Sequence, residues 1–196
     1  MMTPLAFTQW FEVWSKDIQT YKEYMSDLDN AIGDGDHGFN MAKGATFYKE
    51  ARQAKQELSI SEECKLLGMT LLSKVGGASG PLYGSAFLAM AKAIQDAPEI
   101  DHDQLVSALQ AGVDSIMLRG KATRHEKTMI DVWLPAIEAL KRHELNEALV
   151  DQFVNDTAPL KATKGRASYL GDRSIGHIDP GSFSSGLLFK ALLQVL

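Results

Sequence analysis

The chain has 196 residues, 45% apolar and 23% charged, with a formal net charge of −5. That balance predicts one folded domain over residues 1–196 with a substantial core, excludes a disordered chain, and gives no reason to expect nucleic acid or an anionic membrane as a partner. Cys64 is the only cysteine, which excludes an internal disulfide and makes a reducing, cytoplasmic setting the expectation.

The opening MMTPLAFTQWFEVWSKD has no basic start and no unbroken apolar stretch, so no signal peptide is expected. No apolar run is long enough to span a bilayer. Periodicity is helical almost throughout. Trp10, Phe11, Trp14, Ile18, Tyr21 and Met25 recur at three- and four-residue steps after Thr3-Pro4, a cap followed by the proline that suits a first helical position. A second helical pattern, FNMAKGATFYKEARQAKQ, follows a run of aspartates and glycines. Ser59 and Glu62 have capping-box spacing ahead of a third helix that ends at Gly76-Gly77. The fourth restarts at Pro81 and stops before Pro98.

Asp101 caps a fifth helix carrying Leu105, Leu109, Val113 and Ile116 on one stripe. Thr128 opens a sixth, which Pro135 should kink or interrupt. A seventh is expected from about Leu145 to Ala167, and an eighth from Ser182 to the end. No two-residue alternation bounded by hairpin turns calls for strands. The expectation is an all-α single domain of about eight helices.

Four stretches have no amphipathic reason: 29–40, 76–84, 119–128 and 164–181. All fall at predicted helix ends, where a bundle can gather its loops into one mouth. The first, within LDNAIGDGDHGFNMAKG, places Asp29, Asp34 and Asp36 in eight positions with Gly33, Gly35 and Gly38 between them. At about 5 Å and an effective dielectric near 20, each carboxylate pair repels by roughly 3 kcal/mol. Splaying into water relieves that repulsion, and so does a shared cation. The spacing fails the EF-hand test, since the required glycine falls on Phe39 and the final glutamate on Ala45. Sparse oxygen donors suit Mg²⁺, which keeps waters and shares phosphate ligands.

GGASGPLYG is neither a Walker A motif nor a dinucleotide fingerprint, because the Lys-Ser/Thr and the preceding strand are missing. Bare glycine N–H groups leading into a helix can still bind an anion, although a plain interhelical turn is the simpler reading of the glycines alone. Cations cluster at Arg119, Lys121, Arg124 and Lys127, and again at Lys161, Lys164, Arg166 and Arg173. Such clusters can offset charge in phosphoryl transfer or form a solvated basic face. Asp179 in HIDPG is open to two roles, a helix cap or a ligand contact.

Taken as an ordered set, GDGDHGFNMAKG, GGASGPLYGSAF, KTMIDVW and KGRASYLGDRSIGHIDPGS resemble the nucleotide-binding L subunit of the dihydroxyacetone kinase family. The match runs from about Asp29 into the final helix. The resemblance implies an antiparallel eight-helix barrel whose loop end holds ADP and two Mg²⁺ ions. It implies metal ligation by Asp29, Asp34 and Asp36, and phosphate or sugar contacts from His37, Gly38, Phe39 and Asn40. Ala78 and Ser79 would belong to the phosphate loop, and Gly120 and Met129 to the base pocket. Arg166 would approach the phosphates, with a catalytic share alongside the three aspartates, and Asp179, Pro180 and Gly181 would close over the nucleotide.

Length adds a further expectation, since 196 residues leave no room for a fused substrate-binding K domain. The resemblance is therefore to the stand-alone L chain of bacterial phosphoenolpyruvate-dependent systems. There ADP is a resident coenzyme, phosphorylated by a phosphohistidine on an M subunit, and the resulting ATP phosphorylates dihydroxyacetone on a K subunit. An ATP-exchanging kinase component and a nucleotide-sensing regulatory module need the same mouth and remain the alternatives.

Overall fold

Thr3 starts the first helix as expected: its Oγ1 accepts from the Ala6 N–H at 3.3 Å, and Pro4 occupies the first turn. In the computed structural model, which describes residues 1–196, the helices are α1 (Pro4–Ile32), α2 (His37–Gln53), α3 (Ile60–Lys74) and α4 (Ser79–Ile94). They are followed by α5 (His102–Gly120), α6 (Ile130–Lys141), α7 (Glu147–Asn155) and α8 (Pro180–Leu193), with a 3-10 segment at Arg166–Ser174. The only β-type pairing is an isolated bridge between Met2 and Ile100. No helix is long and apolar enough to cross a membrane.

Each helix packs on the next in sequence, and α8 packs on α1, so the eight close into an antiparallel barrel. Two indole N–H groups help seal the α1–α8 seam: Trp10 Nε1 donates to Leu188 O at 2.8 Å and Trp14 Nε1 to Ser184 O at 3.0 Å. Phe11, Trp14 and Phe87 stack at tilted or edge-on angles inside the ring, all of them buried. At the α3–α4 crossing a Cβ on Gly84 would lie 2.9 Å from Gly68 O, so the missing side chain lets the two helices pack closely.

Several boundaries differ from the sequence reading, each for a local reason. Helix α4 begins at Ser79 rather than Pro81, because a proline in the first turn sacrifices only an N–H with no intrahelical partner. Helix α3 ends at Lys74 with Val75 as its cap, before Gly76-Gly77. Helix α6 runs on through Pro135 without interruption. Helix α7 stops at Asn155, not near Ala167, because Pro159 cannot continue it; Gly165 and Gly171 farther on adopt positive φ (63° and 57°). Helix α8 starts two residues early, at Pro180, because Asp179 caps it by accepting from Ser182 N–H at 2.7 Å.

Candidate active site

Odd-numbered helices end, and even-numbered helices begin, at the same end of the barrel. There a cavity of about 480 Å³ draws its wall from all four non-amphipathic stretches. That volume lies within the range of small-ligand pockets.

Asp29 belongs to the last turn of α1, so the bare turn is shorter than the sequence suggested, covering only residues 33–36. Its Oδ2 accepts from the N–H groups of Asp36 (2.9 Å) and His37 (3.1 Å), capping α2 from a neighbouring helix. The turn must fold tightly back to make this contact. A Cβ at residue 33 would meet Asp29 Oδ1 at 2.1 Å, and one at residue 35, where φ is +77°, would meet Asn30 Oδ1 at 2.1 Å. Gly33 and Gly35 are thus bare because the aspartate and asparagine of α1 fill their side-chain space.

One carboxylate oxygen from each of Asp29, Asp34 and Asp36 lies within 4.8 Å of the other two. Burial raises the Asp29 carboxyl pKa, opposed by the His37 N–H bond and reinforced by the charges of Asp34 and Asp36. Octahedral Mg²⁺ places ligand oxygens roughly 3–4 Å apart. Rotation of Asp34 and Asp36, both exposed, closes the difference, so this all-oxygen set fits a hard divalent ion.

Across the cavity, α4 presents its N-terminus through Ala78 and Ser79 without a side-chain cap. Its first-turn N–H groups are therefore available to an anion. Arg166 Nη1 reaches Asp34 Oδ2 at 2.7 Å, which joins the basic 3-10 segment to the acidic turn. Arg119 and Lys164 complete the cationic share of the wall, and Leu82, Ile116, Ala122 and Met129 supply an apolar share. The other cations of the two clusters behave as a solvated face: Arg124 pairs with Glu138 at 2.9 Å and Lys161 with Asp172 at 2.8 Å.

His37, Asn40, Gly120, Pro180 and Gly181 also line the cavity, as does the capping residue Asp179. Gly38 and Phe39 do not. A Cβ at residue 38 would strike Lys22 O at 1.8 Å, so Gly38 allows α2 to approach α1, while the Phe39 side chain is 54% exposed outside the wall.

A buried polar chain behind His37 was not foreseen. Its Nδ1 lies 2.9 Å from Ser79 Oγ and its Nε2 lies 3.0 Å from Ser184 Oγ. Tyr83 Oη joins Ser184 Oγ and Ser185 Oγ at 2.7 Å each, and Trp133 Nε1 donates to Ser185 Oγ at 3.0 Å. Burial pushes the His37 pKa down to about 4, leaving a neutral ring held from both sides. These residues come from α2, α4, α6 and α8, and each alone has the look of an ordinary core or helix residue.

The model of the DAK2 domain family matches residues 31–194, and with them the acidic turn and the glycine-rich helix start; the chain belongs to that family. Its relatives are more specific. It is 52% identical to a PEP-dependent dihydroxyacetone kinase 1, ADP-binding subunit DhaL, of Listeria innocua, over 95% of this chain and 93% of that protein. It is 47% identical to the PTS-dependent dihydroxyacetone kinase, ADP-binding subunit DhaL, of Lactococcus lactis, over 100% of both. The fold also superposes on the C. freundii dihydroxyacetone kinase, whose crystal structure holds AMP-PNP and Mg²⁺, with a TM-score of 0.76 at 24% identity. The superposition covers 99% of this chain but 34% of that one, and at this identity it speaks to the fold alone.

Proposed function

We propose that this chain is the nucleotide-carrying subunit of a phosphotransferase-dependent dihydroxyacetone kinase and acts only with partner subunits. ADP is held in the cavity as a resident coenzyme. A phosphoryl group leaves the phosphohistidine of an M-type partner for ADP, and the ATP so formed passes it to dihydroxyacetone held on a K-type partner. The lone buried Cys64 suits a cytoplasmic setting for such a relay.

The observation that carries this reading is the convergence of Asp29, Asp34 and Asp36 opposite the uncapped start of α4 in one cavity. The three aspartates would hold Mg²⁺, two ions in the full assignment, which when bound neutralises phosphate charge in the transfer. ADP and three carboxylates carry about six negative charges against about four on two such ions. Arg166 and the α4 N–H groups supply much of the remainder. Asn40, Ala78 and Ser79 border the phosphates, as does neutral His37. Gly120 and Met129 flank the base, and Asp179–Gly181 form the opposite wall. The proposed contacts from Gly38 and Phe39 are confined to the backbone, given where their side-chain positions lie.

The test is nucleotide retention. Freshly purified protein, denatured after dialysis in Mg²⁺ buffer, should release ADP and magnesium, and Asp34→Ala should release neither while keeping its helical circular dichroism. Wild-type-like ADP retention by Asp34→Ala would sink the assignment. Rapid loss of labelled ADP from the wild type on dialysis would point instead to an exchanging kinase component. Nucleotide-dependent partner binding with no phosphoryl transfer would point to a sensor.

A further inference from the structure

Lys127 lines the cavity, yet its ammonium is turned away from it. The side chain is buried, and Nζ donates to Thr157 O at 2.6 Å, to Ala158 O at 3.2 Å and to His177 O. An ammonium has three N–H donors, and all three are used. The residue also adopts the left-handed region, with φ +61°. For a lysine that conformation is uncommon and persists where surrounding contacts over-determine it.

The three carbonyls belong to two different segments, the turn after α7 and the lead into α8. A second lace ties the same loop to the first turn of α8, since Ser182 Oγ donates to Thr128 O at 2.9 Å. Together the two laces bracket Asp179-Pro180-Gly181 between His177 and Ser182, and on the other side they hold Lys127 and Thr128, the two residues that lead into Met129. Between them a Cβ added to Gly181 would come to 3.7 Å from Met129 Cβ, so the bare Gly181 backbone faces Met129 across a gap that a single side chain would fill. The Asp179 N–H is fixed from the same turn, donating to Thr157 Oγ1 at 3.1 Å.

We propose that Lys127 is a positioning residue rather than a phosphate ligand: it sets the spacing between Met129 and Asp179–Gly181, the walls that grip the nucleoside part of the nucleotide. This rests on the nucleotide-binding reading above. A flexible, phosphate-seeking lysine would keep at least one N–H for the ligand, whereas this one is fully committed to backbone oxygens.

The experiment compares two probes, Mg·ADP and Mg·pyrophosphate, binding to the full chain freed of nucleotide, by calorimetry. Wild type must bind Mg·ADP; failure there overturns the nucleotide reading itself and is distinct from the outcomes below. Lys127→Met should weaken Mg·ADP on the order of tenfold to hundredfold, the usual cost of removing an orienting partner, with Mg·pyrophosphate affinity unchanged. Equal weakening of both probes, or no change in either, overturns the proposal. Ser182→Ala removes the second lace and keeps both the lysine and the Asp179 cap, so it carries the test if Lys127→Met does not fold. Selective loss of Mg·ADP supports a wall-setting role; equal loss or none defeats it.

Discussion

The carboxylate of Asp29 and the backbone N–H of His37 are joined at 3.1 Å, so a residue of α1 caps α2 while sitting in the acidic cluster. Asp29 therefore has a structural duty that Asp34 and Asp36 lack. Asp29→Ala should destabilise the protein by about 1 kcal/mol through cap loss alone. Asp34→Ala, on an exposed turn, should change stability by less than about 0.5 kcal/mol. Urea unfolding in EDTA, with nucleotide removed, measures both; equal losses for the two variants would contradict the division of roles.

The Arg166–Asp34 pair, at 2.7 Å, separates function from stability in a different way. The arginine side chain is 68% exposed, and such pairs are worth about 0–1 kcal/mol. Arg166→Gln should leave the melting temperature nearly unchanged and weaken Mg·ADP about tenfold, since a charge-assisted phosphate contact is lost. The same affinity in the variant and in wild type would remove Arg166 from the phosphate site.

The helices were legible because α1, α3 and α5 combine strong apolar stripes with the Thr3, Ser59 and Asp101 caps, signals that lie within a few residues of one another. Helix α7 was overextended because the apolar pattern was followed past Pro159, which cannot continue a helix, and the turn there is then held by Lys127, 30 positions from Thr157 in sequence and bonded to that residue's carbonyl. The acidic turn was legible as chemistry but not as geometry. Nothing local reveals that Asp29 completes a helix and caps the next, or that Gly38 serves helix packing instead of ligand approach. The His37–Ser184–Tyr83–Trp133 chain escaped for the same reason, since its members carry no shared spacing.

A buried cluster away from the cavity gives a control for these variants. Glu63, fully buried, has Arg52 Nε 2.9 Å from its Oε2 and accepts from Tyr48 Oη. Removing one partner of a buried ion pair leaves an uncompensated charge and costs about 3–5 kcal/mol. The Arg52 side chain is 20% exposed, which brings the expectation to the lower end, about 3 kcal/mol. Arg52→Met should lower the urea midpoint clearly while the folded fraction binds Mg·ADP as wild type does. A parallel loss of affinity would show that the two ends of the barrel are coupled.

Asp179 supplies the pH test. Burial pushes its carboxyl up to about 6, against the opposing effects of the Ser182 cap and the Lys127 charge. A carboxyl whose pKa is higher folded than unfolded binds more protons in the native state between pH 4 and 6, so its contribution to stability falls as pH rises through that window. Two pKa units correspond to roughly 3 kcal/mol, and partial solvent contact reduces this to about 2 kcal/mol. Asparagine keeps an acceptor for the Ser182 N–H and cannot ionise. The stability of Asp179→Asn relative to wild type should therefore improve by about 2 kcal/mol between pH 4 and pH 7, read from urea unfolding at each pH without nucleotide. A difference that stays flat across the range would mean that the α8 cap and Lys127 cancel the burial, and one that shifts toward wild type as pH rises would mean that they outweigh it; either result contradicts the raised carboxyl.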